Sequence, residues 1–115
     1  MTRFGDIQAR HAAATPGPWR AGPFDTGKPR GTCAWVFPPA GHTLDRVADC
    51  GADTEEGRAD AEFIAHCPDD VRWLLDRVTR LTEALADIAE EVNAGTFTDL
   101  WVIERARAAL DTEQT

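Results

Sequence analysis

The residues with the clearest potential for chemistry lie in the N-terminal half of the chain, where basic and aromatic side chains are interleaved. Guanidinium groups pair with phosphate or carboxylate oxygens, and aromatic rings stack on planar ligands. This combination predicts a site for a small anionic, nucleotide-derived ligand. The predicted ligand-binding residues are Trp19, Arg20, Lys28, Arg30, Trp35, His42 and Arg46. The alternative is a solvated sheet face and loop, since no glycine-rich phosphate-binding loop accompanies these residues.

The remaining reactive residues lack the spacing of a catalytic or metal site. Thiolate and imidazole groups suit zinc, but the cysteines and histidines are far apart and have no CxxC step. These residues are Cys33, His42, Cys50, His66 and Cys67. His66 and Cys67 are neighbours on a predicted helix and would point in different directions, which disfavours a cysteine–histidine nucleophile. We therefore expect a protein that is not an enzyme, with free thiols and with no metal or cofactor.

Charge is distributed unevenly along the 115 residues, whose net charge is −8. Residues 1–50 carry a net charge of +2, and residues 51–115 carry −10. Such an acidic chain is a poor partner for duplex DNA, because attraction to phosphates supplies most non-specific affinity. No apolar run approaches the roughly 18 residues of a membrane span, and no signal peptide is apparent. These features predict a cytoplasmic protein.

A heptad pattern dominates the C-terminal half. Apolar residues step by three and four positions, which is typical of a helix that buries one seam. The seam consists of Val71, Leu74, Val78, Leu81, Leu85, Ile88 and Val92. The pattern predicts a long helix over residues 69–94, ended by a left-handed cap at Gly95. Small or apolar residues beside the seam favour a helical bundle, in which residues 99–110 fold back as a hairpin.

This predicted last helix is too short to cover the whole seam. Its inward residues are predicted to be Leu100, Ile103, Ala106 and Leu110. Part of the seam would then stay uncovered, and a second copy of the chain is the favoured cover. The sequence thus predicts a homo-oligomer. The alternative is that the N-terminal half covers the remaining seam.

The N-terminal half reads as a small sheet between helices. A short helix is expected over residues 3–14. Three strands are expected near Trp19–Ala21, Thr32–Phe37 and Thr43–Asp49. A second short helix is expected over residues 58–66, with Phe63 and Ile64 in the core. The predicted class is α+β: a small antiparallel sheet with a short N-terminal helix, then a long helix and a shorter one. We expect a single domain over residues 1–115, with the sheet in 1–57 and a helical oligomerisation region in 58–111.

Two segments carry a family resemblance. Ala13-Ala14-Thr15-Pro16-Gly17-Pro18-Trp19 is followed by Asp60-Ala61-Glu62-Phe63-Ile64-Ala65-His66, and then by Val71 and Leu74-Leu75. This order resembles small phage and prophage accessory proteins of actinobacteria, and it is similar to the Ead family of temperate-phage early-region proteins. The resemblance spans about residues 10–85 and implies a phage origin. It implies no reaction and no catalytic residue.

The residues of the first segment also allow a structural interpretation. The Thr15–Pro18 turn would place Trp19 against the core, while a stacking platform for a ligand is the other role for this indole.

Together these features predict a non-enzymatic, phage-type protein that sequesters a small anionic, nucleotide-derived ligand and so interferes with host defence. The alternative is a protein–protein inhibitor or adaptor that acts through its acidic helical surface.

Overall fold

The computed structural model confirms the α+β class. It describes residues 2–39, 45–96 and 98–111. The elements in chain order are α1 (Arg3–Ala13), β1 (Arg20–Asp25), β2 (Thr32–Phe37), β3 (Ala48–Ala52), α2 (Glu55–Ala94) and α3 (Asp99–Asp111). The chain forms two compact units, an N-terminal unit (Met1–Arg72) and a hairpin unit (Trp73–Thr115), and the division lies within α2.

The three strands form one antiparallel sheet with β2 in the middle. β2 pairs with β1 through Arg20–Phe37 and Gly22–Trp35, and with β3 through Val36–Ala48. The residues of β2 from Cys33 to Phe37 are all buried. A short strand with both faces buried must therefore be covered on two sides.

Small residues let α2 cover one face of the sheet. Ala34 and Val36 of β2 pack with Ala61 and Ala65 of α2, and all four are buried. Trp19 lies at the edge of this cluster, which confirms that the proline-rich turn places its indole against the core. Alanine at the contact positions lets the helix approach the sheet closely, since there is little side chain to separate them.

The prediction that Phe63 belongs to the core is wrong, because 73% of Phe63 is exposed. Ala61, Ile64 and Ala65 form the contact line of the helix instead, and Phe63 lies on the other side of that line. Hydrophobicity alone favours Phe63 for the core, but close contact with the sheet requires the small side chains of Ala61 and Ala65.

Two strand predictions need correction, whereas Thr32–Phe37 is confirmed. The first strand runs over Arg20–Asp25 and continues through Pro23. It is an edge strand, where proline is tolerated because one row of backbone groups needs no ladder partner. The third strand is Ala48–Ala52 instead of Thr43–Asp49, and residues 43 and 44 of that prediction lie outside the described residues.

The expectation of two helices over residues 58–66 and 69–94 is also wrong, because α2 is continuous through Pro68. Proline inside a helix removes one backbone donor and costs about 3 kcal/mol. The N-terminal unit packs around this position: His11 Nε2 lies 2.9 Å from the carbonyl oxygen of Pro68, which is buried. A Cβ atom on Gly17 would lie only 3.0 Å from Pro68 Cβ, so the Thr15–Pro18 turn also packs against Pro68. Tertiary packing thus offsets the local preference for a break.

The hairpin unit consists of the end of α2, a tight turn and α3. Gly95 has φ +72°, which confirms the left-handed cap, and Thr98 caps α3 by accepting from the Trp101 N–H at 3.1 Å. Arg77 donates to the Ala109 carbonyl at 3.2 Å, and Arg105 pairs with Asp87 at 2.9 Å. The predicted fold-back of α3 on α2 is therefore present.

The orientation of α3 differs from the prediction. Leu100, Ile103 and Leu110 were expected inside, but they are 65%, 50% and 53% exposed. Ala109 is buried, and Trp101, Val102, Arg105 and Ala106 are partly buried. The helix is therefore rotated from the predicted orientation, so that Ala109 is buried and Arg105, instead of Ile103 or Leu110, contacts α2.

The heptad seam is covered only in part. Leu81 and Ile88 are partly buried beside the buried Ala84, whereas large fractions of other seam residues are exposed. The exposed seam residues of the hairpin unit are Leu74, Val78, Leu85 and Val92. The expectation that α3 leaves part of the seam uncovered is confirmed.

None of the helices within the described ranges has the length and apolar character that a membrane crossing requires.

Gly57 provides a test of how closely the first turn of α2 approaches the end of β3. Gly57 donates its N–H to Thr54 Oγ1 at 3.1 Å, and a Cβ at this position would lie 2.4 Å from the Ala52 carbonyl oxygen. We expect Gly57→Ala to lower the free energy of unfolding by about 1–3 kcal/mol, because backbone must move to admit the methyl group. Urea denaturation followed by circular dichroism measures the change.

Helix propensity alone predicts the opposite sign for Gly57→Ala, a gain of up to about 1 kcal/mol. An observed gain in stability would therefore contradict the close approach.

Candidate functional site

The sheet face opposite α2 gathers the aromatic and basic residues. Alternation along β1 places Arg20, Gly22 and Phe24 on this face, and their partners across the ladder are Phe37, Trp35 and Cys33. Gly22 has no side chain, and a Cβ at this position would lie 3.6 Å from both Arg20 Nη1 and Phe37 Cε2. We define the basic-aromatic face as Arg20, Phe24, Trp35, Phe37 and Arg46.

Three aromatic rings form the centre of the basic-aromatic face. Phe24 stacks on Trp35 with ring centroids 4.1 Å apart and an angle of 8° between the ring planes. Phe37 is tilted against both rings, at 6.3 Å from Phe24 and 6.0 Å from Trp35. Trp35 is only 4% exposed, so its burial depends on its neighbours on this face.

Two guanidinium groups lie on these rings. Arg46 Cζ is 4.4 Å from the Trp35 ring centroid, and Arg20 Cζ is 4.6 Å from that of Phe37. Both arginines are exposed to solvent, and neither has an ion-pair partner among the described residues. Cation–π contacts at exposed sites contribute about 0.5–1 kcal/mol, so an anion can compete for the guanidinium groups.

Arg30 differs from these two arginines because it is paired. Arg30 Nη1 lies 3.0 Å from Asp49 Oδ2, and Asp49 Oδ1 accepts the Gly51 N–H at 3.0 Å. The Gly51 hydrogen bond, followed by that of Arg30, lowers the pKa of the Asp49 carboxyl from its ordinary value. The carboxylate thus compensates part of the positive charge beside the basic-aromatic face.

The indole nitrogen of Trp35 is the unusual feature of the face. Trp35 Nε1 is buried, and it has no hydrogen-bond partner among the described residues. A buried donor without an acceptor costs about 1–3 kcal/mol, and such groups in native proteins call for an explanation. The arginines can only donate as well, and the carboxylate of Asp49, the ladder partner of Trp35 on β3, is an acceptor on the same side of the sheet that binds Arg30 and the Gly51 N–H.

The other predicted site residues lie elsewhere. Trp19 is on the α2 side of the sheet, where its Nε1 donates to the Thr15 carbonyl at 3.0 Å. Lys28 is exposed in the β1–β2 turn, and His42 lies outside the described residues. The structure therefore brings together Arg20, Trp35 and Arg46, with Arg30 nearby through Asp49, and it separates Trp19 from them.

Phe24 and Phe37 are the residues of this face that the predicted site left out, and Phe24 gave the weaker sequence signal. Arg20, Gly22 and Phe24 alternate with Ala21, Pro23 and Asp25, which is the period of a strand. The glycine and proline in the middle obscured that alternation. Reading the segment as an edge strand would have placed Phe24 beside Trp35.

A cavity of about 400 Å³ lies on the α1 side of the N-terminal unit, away from the basic-aromatic face. Its lining includes Arg10, His11, Trp19 and Arg72. The proline-rich turn and the Cys67–Arg72 part of α2 meet here. Trp19 of the first segment also packs against the cluster that contains Ala61 and Ala65 of the second, so the two segments that carry the family resemblance are in contact.

Two of the residues considered for other chemistry, His66 and Cys67, form hydrogen bonds within α2, whereas Cys33 and Cys50 are free thiols. Cys67 Sγ donates to the Phe63 carbonyl at 3.2 Å, and His66 Nδ1 lies 2.8 Å from the Glu62 carbonyl oxygen. The hydrogen bond with Glu62 raises the pKa of His66. Within the described ranges, no three histidine, cysteine or acidic residues lie close enough to hold a metal ion.

Compared with known proteins, the chain matches no family model, no curated protein and no solved structure. The similarity to the Ead family therefore stays a prediction based on the two sequence segments.

The Arg30–Asp49 pair gives a pH prediction. The pKa of Asp49 is lower in the folded state than in the unfolded chain, so its contribution to stability is present above the unfolded pKa of about 3.9. That contribution is lost as the pH falls through the lower folded pKa. We expect Asp49→Asn, which keeps an acceptor for Gly51, to be less stable than the parent at pH 7, and the difference to shrink below about pH 3.9. Urea denaturation across pH 2–7 measures it.

A stability difference between the parent and Asp49→Asn that stays constant over this pH range would contradict a lowered pKa at Asp49.

Proposed function

We propose that this protein is a non-enzymatic binding protein that captures a small anionic, nucleotide-derived ligand on its basic-aromatic face. The observation that carries the proposal is the buried Trp35 Nε1, which has no acceptor among the described residues. A phosphate or carboxylate oxygen of a ligand would accept this hydrogen bond and remove the cost of the unsatisfied donor.

The two arginines support an anion as the ligand. Arg46 lies over the Trp35 ring and Arg20 over the Phe37 ring, and neither arginine forms an ion pair with a described residue. Hydrogen bonds from guanidinium to phosphate are charge-assisted and roughly twice as strong as neutral ones. Both side chains are exposed and long enough to turn from a ring to an anion without a change in the backbone.

The ring faces support a planar group in the same ligand. Arg46 covers one face of the Trp35 ring at 4.4 Å, while Phe24 stacks on it at 4.1 Å. When Arg46 turns to a phosphate, a base can take its place on the indole. Stacking of a base on an aromatic side chain contributes about 1–3 kcal/mol, which offsets the lost cation–π contact.

The biological role of such binding is inferred from the sequence alone. A phage origin would make capture of a nucleotide signal a means of blocking host defence, and the cytoplasmic location is predicted on the same basis. The adaptor hypothesis, in which the acidic helical surface binds a host protein, stays the alternative.

Isothermal titration calorimetry with AMP, ADP-ribose and cyclic dinucleotides tests the proposal. We expect at least one of them to bind, and Arg46→Gln to weaken that binding at least tenfold, as for the loss of a charge-assisted hydrogen bond. Trp35→Phe keeps an aromatic ring but removes the N–H donor, so it should also weaken binding, by about fivefold or more.

Arg80→Gln is the matched control, since it removes the same charge from an exposed position in the hairpin unit. It should change the affinity by less than about twofold. The proposal fails if the parent binds none of these compounds more tightly than about 100 μM, because sequestration needs tight capture. It also fails if Arg80→Gln weakens binding as much as Arg46→Gln.

A further inference from the structure

The cavity beside α1, called the α1 cavity below, has the size of a pocket for a small molecule. Its volume is about 400 Å³, and ligand pockets in proteins range from about 300 to 1,000 Å³. All of its lining residues belong to the N-terminal unit, and they come from α1, from the segment that joins α1 to β1, and from α2. A ligand in this cavity would therefore contact both the beginning and the end of that unit's sequence.

The walls of the α1 cavity are mostly apolar. The larger apolar residues that line it are Ile7, Pro16, Trp19, Pro68 and Val71. Such walls favour a ligand with an apolar body, because contact with them removes carbon surface from water on both sides.

Two hydrogen bonds hold the polar groups of these walls. His11 Nε2 lies 2.9 Å from the carbonyl oxygen of Pro68, and Trp19 Nε1 donates to the Thr15 carbonyl at 3.0 Å. A carbonyl oxygen can only accept, so both ring nitrogens donate. These two donors are therefore satisfied within the protein, and the cavity has few polar groups left for a sugar or a base.

Packing around α1 leaves room for a ligand. No residue of α1 is buried, although Phe4, Ile7 and His11 are partly buried. Protein interiors are densely packed, and side chains beside a gap lose the dispersion contacts that neighbouring atoms would supply. A ligand in the α1 cavity would supply those contacts between α1 and α2.

Positive charge at the α1 cavity is not compensated. Arg10 and Arg72 line it, both are exposed, and neither forms an ion pair with a described residue. None of the described residues that line the cavity is acidic, and Asp69 lies beside Gly17 instead. The C-terminal end of α1 contributes about half a negative charge, which two guanidinium groups outweigh. The ligand should therefore be an anion.

We propose that the α1 cavity binds a small carboxylic acid with an apolar body, such as a medium-chain fatty acid or an aromatic acid. The carboxylate would pair with Arg10 and Arg72, since a guanidinium group donates two parallel hydrogen bonds to a carboxylate. The apolar body would lie against Trp19 and Pro68. This site is separate from the basic-aromatic face and does not depend on the function proposed for that face.

Isothermal titration calorimetry on the full chain with decanoate and 2-naphthoate tests the proposal. At least one of these acids should bind with a Kd below about 1 mM. The primary amide of that acid has the same body without the charge, and acetate has the charge without the body. Each should bind at least about tenfold more weakly. The proposal is overturned if neither acid binds, or if the amide binds as tightly as the acid.

Substitution of the two arginines tests their role. Arg10→Gln and Arg72→Gln should each weaken binding about tenfold, as for the loss of a charge-assisted hydrogen bond. Arg3→Gln removes the same charge from an exposed position of α1 outside the lining, so it is the matched control and should change the Kd by less than about twofold. Equal effects of all three variants, or no effect of the first two, would exclude a site at these arginines.

The thiol of Cys67 reports whether the acid is bound in the α1 cavity. Cys67 lines the cavity, whereas Cys50 on β3 does not, and both are partly buried free thiols. A saturating amount of the acid should slow alkylation of Cys67 by iodoacetamide at least about fivefold and leave the rate at Cys50 unchanged, as measured by peptide mass spectrometry. Binding by calorimetry with an unchanged rate at Cys67 would place the acid elsewhere on the protein and overturn the proposal.

Discussion

Burial of β2 on both faces is the constraint on which the N-terminal unit depends. Val36 is 0% exposed and Trp35 is 4% exposed, although neighbouring residues of a strand point to opposite faces. On one face, α2 covers the strand with two alanines. On the other, Phe24 packs against Cys33, Trp35 and Phe37, and the guanidinium groups of Arg20 and Arg46 lie on the rings of Phe37 and Trp35.

The residues that cover this second face of β2 link the stability of the fold to the proposed function. Arginine side chains shield the rings with their stems and keep their charges in water, so they can bury an aromatic face without forming a fixed core. Such a cover can be exchanged for a ligand of similar shape. Trp35 Nε1, the donor left without a partner beneath it, marks the position where an acceptor is missing. The groups that complete the fold are thus the groups that would bind the ligand.

The positions of the helices and strands could be predicted from the sequence better than which side of each element is buried. The boundaries of β2, the cap at Gly95 and the return of α3 on α2 follow from local signals, namely β-branched and aromatic residues, a left-handed glycine and heptad spacing. Pro68 was read as a helix break because propensity describes an isolated helix, whereas contacts with His11 and Gly17 exist only in the folded unit. The rotation of α3 was missed since hydrophobicity favours Ile103 and Leu110 over Ala109 and Arg105.

The candidate site could be predicted only in part, because residue types do not show which side chains share a face of the sheet. Arg20, Trp35 and Arg46 could be grouped by residue type, but the sheet register decides that Trp19 lies on the opposite face and that Phe24 joins them. The pairing of Arg30 with Asp49 depends on distances across strands, which residue types do not reveal.

The most direct measurement of the central claim is the NMR signal of the Trp35 indole N–H, assigned by its loss in Trp35→Phe. Spectra of the ¹⁵N-labelled protein would be recorded during titration with AMP, ADP-ribose and inorganic pyrophosphate. A donor that gains an acceptor should show a downfield proton shift for Trp35, while the indole signal of Trp19, already bonded to Thr15, should stay in place. An unchanged Trp35 signal at saturating amounts of all three compounds would contradict the account.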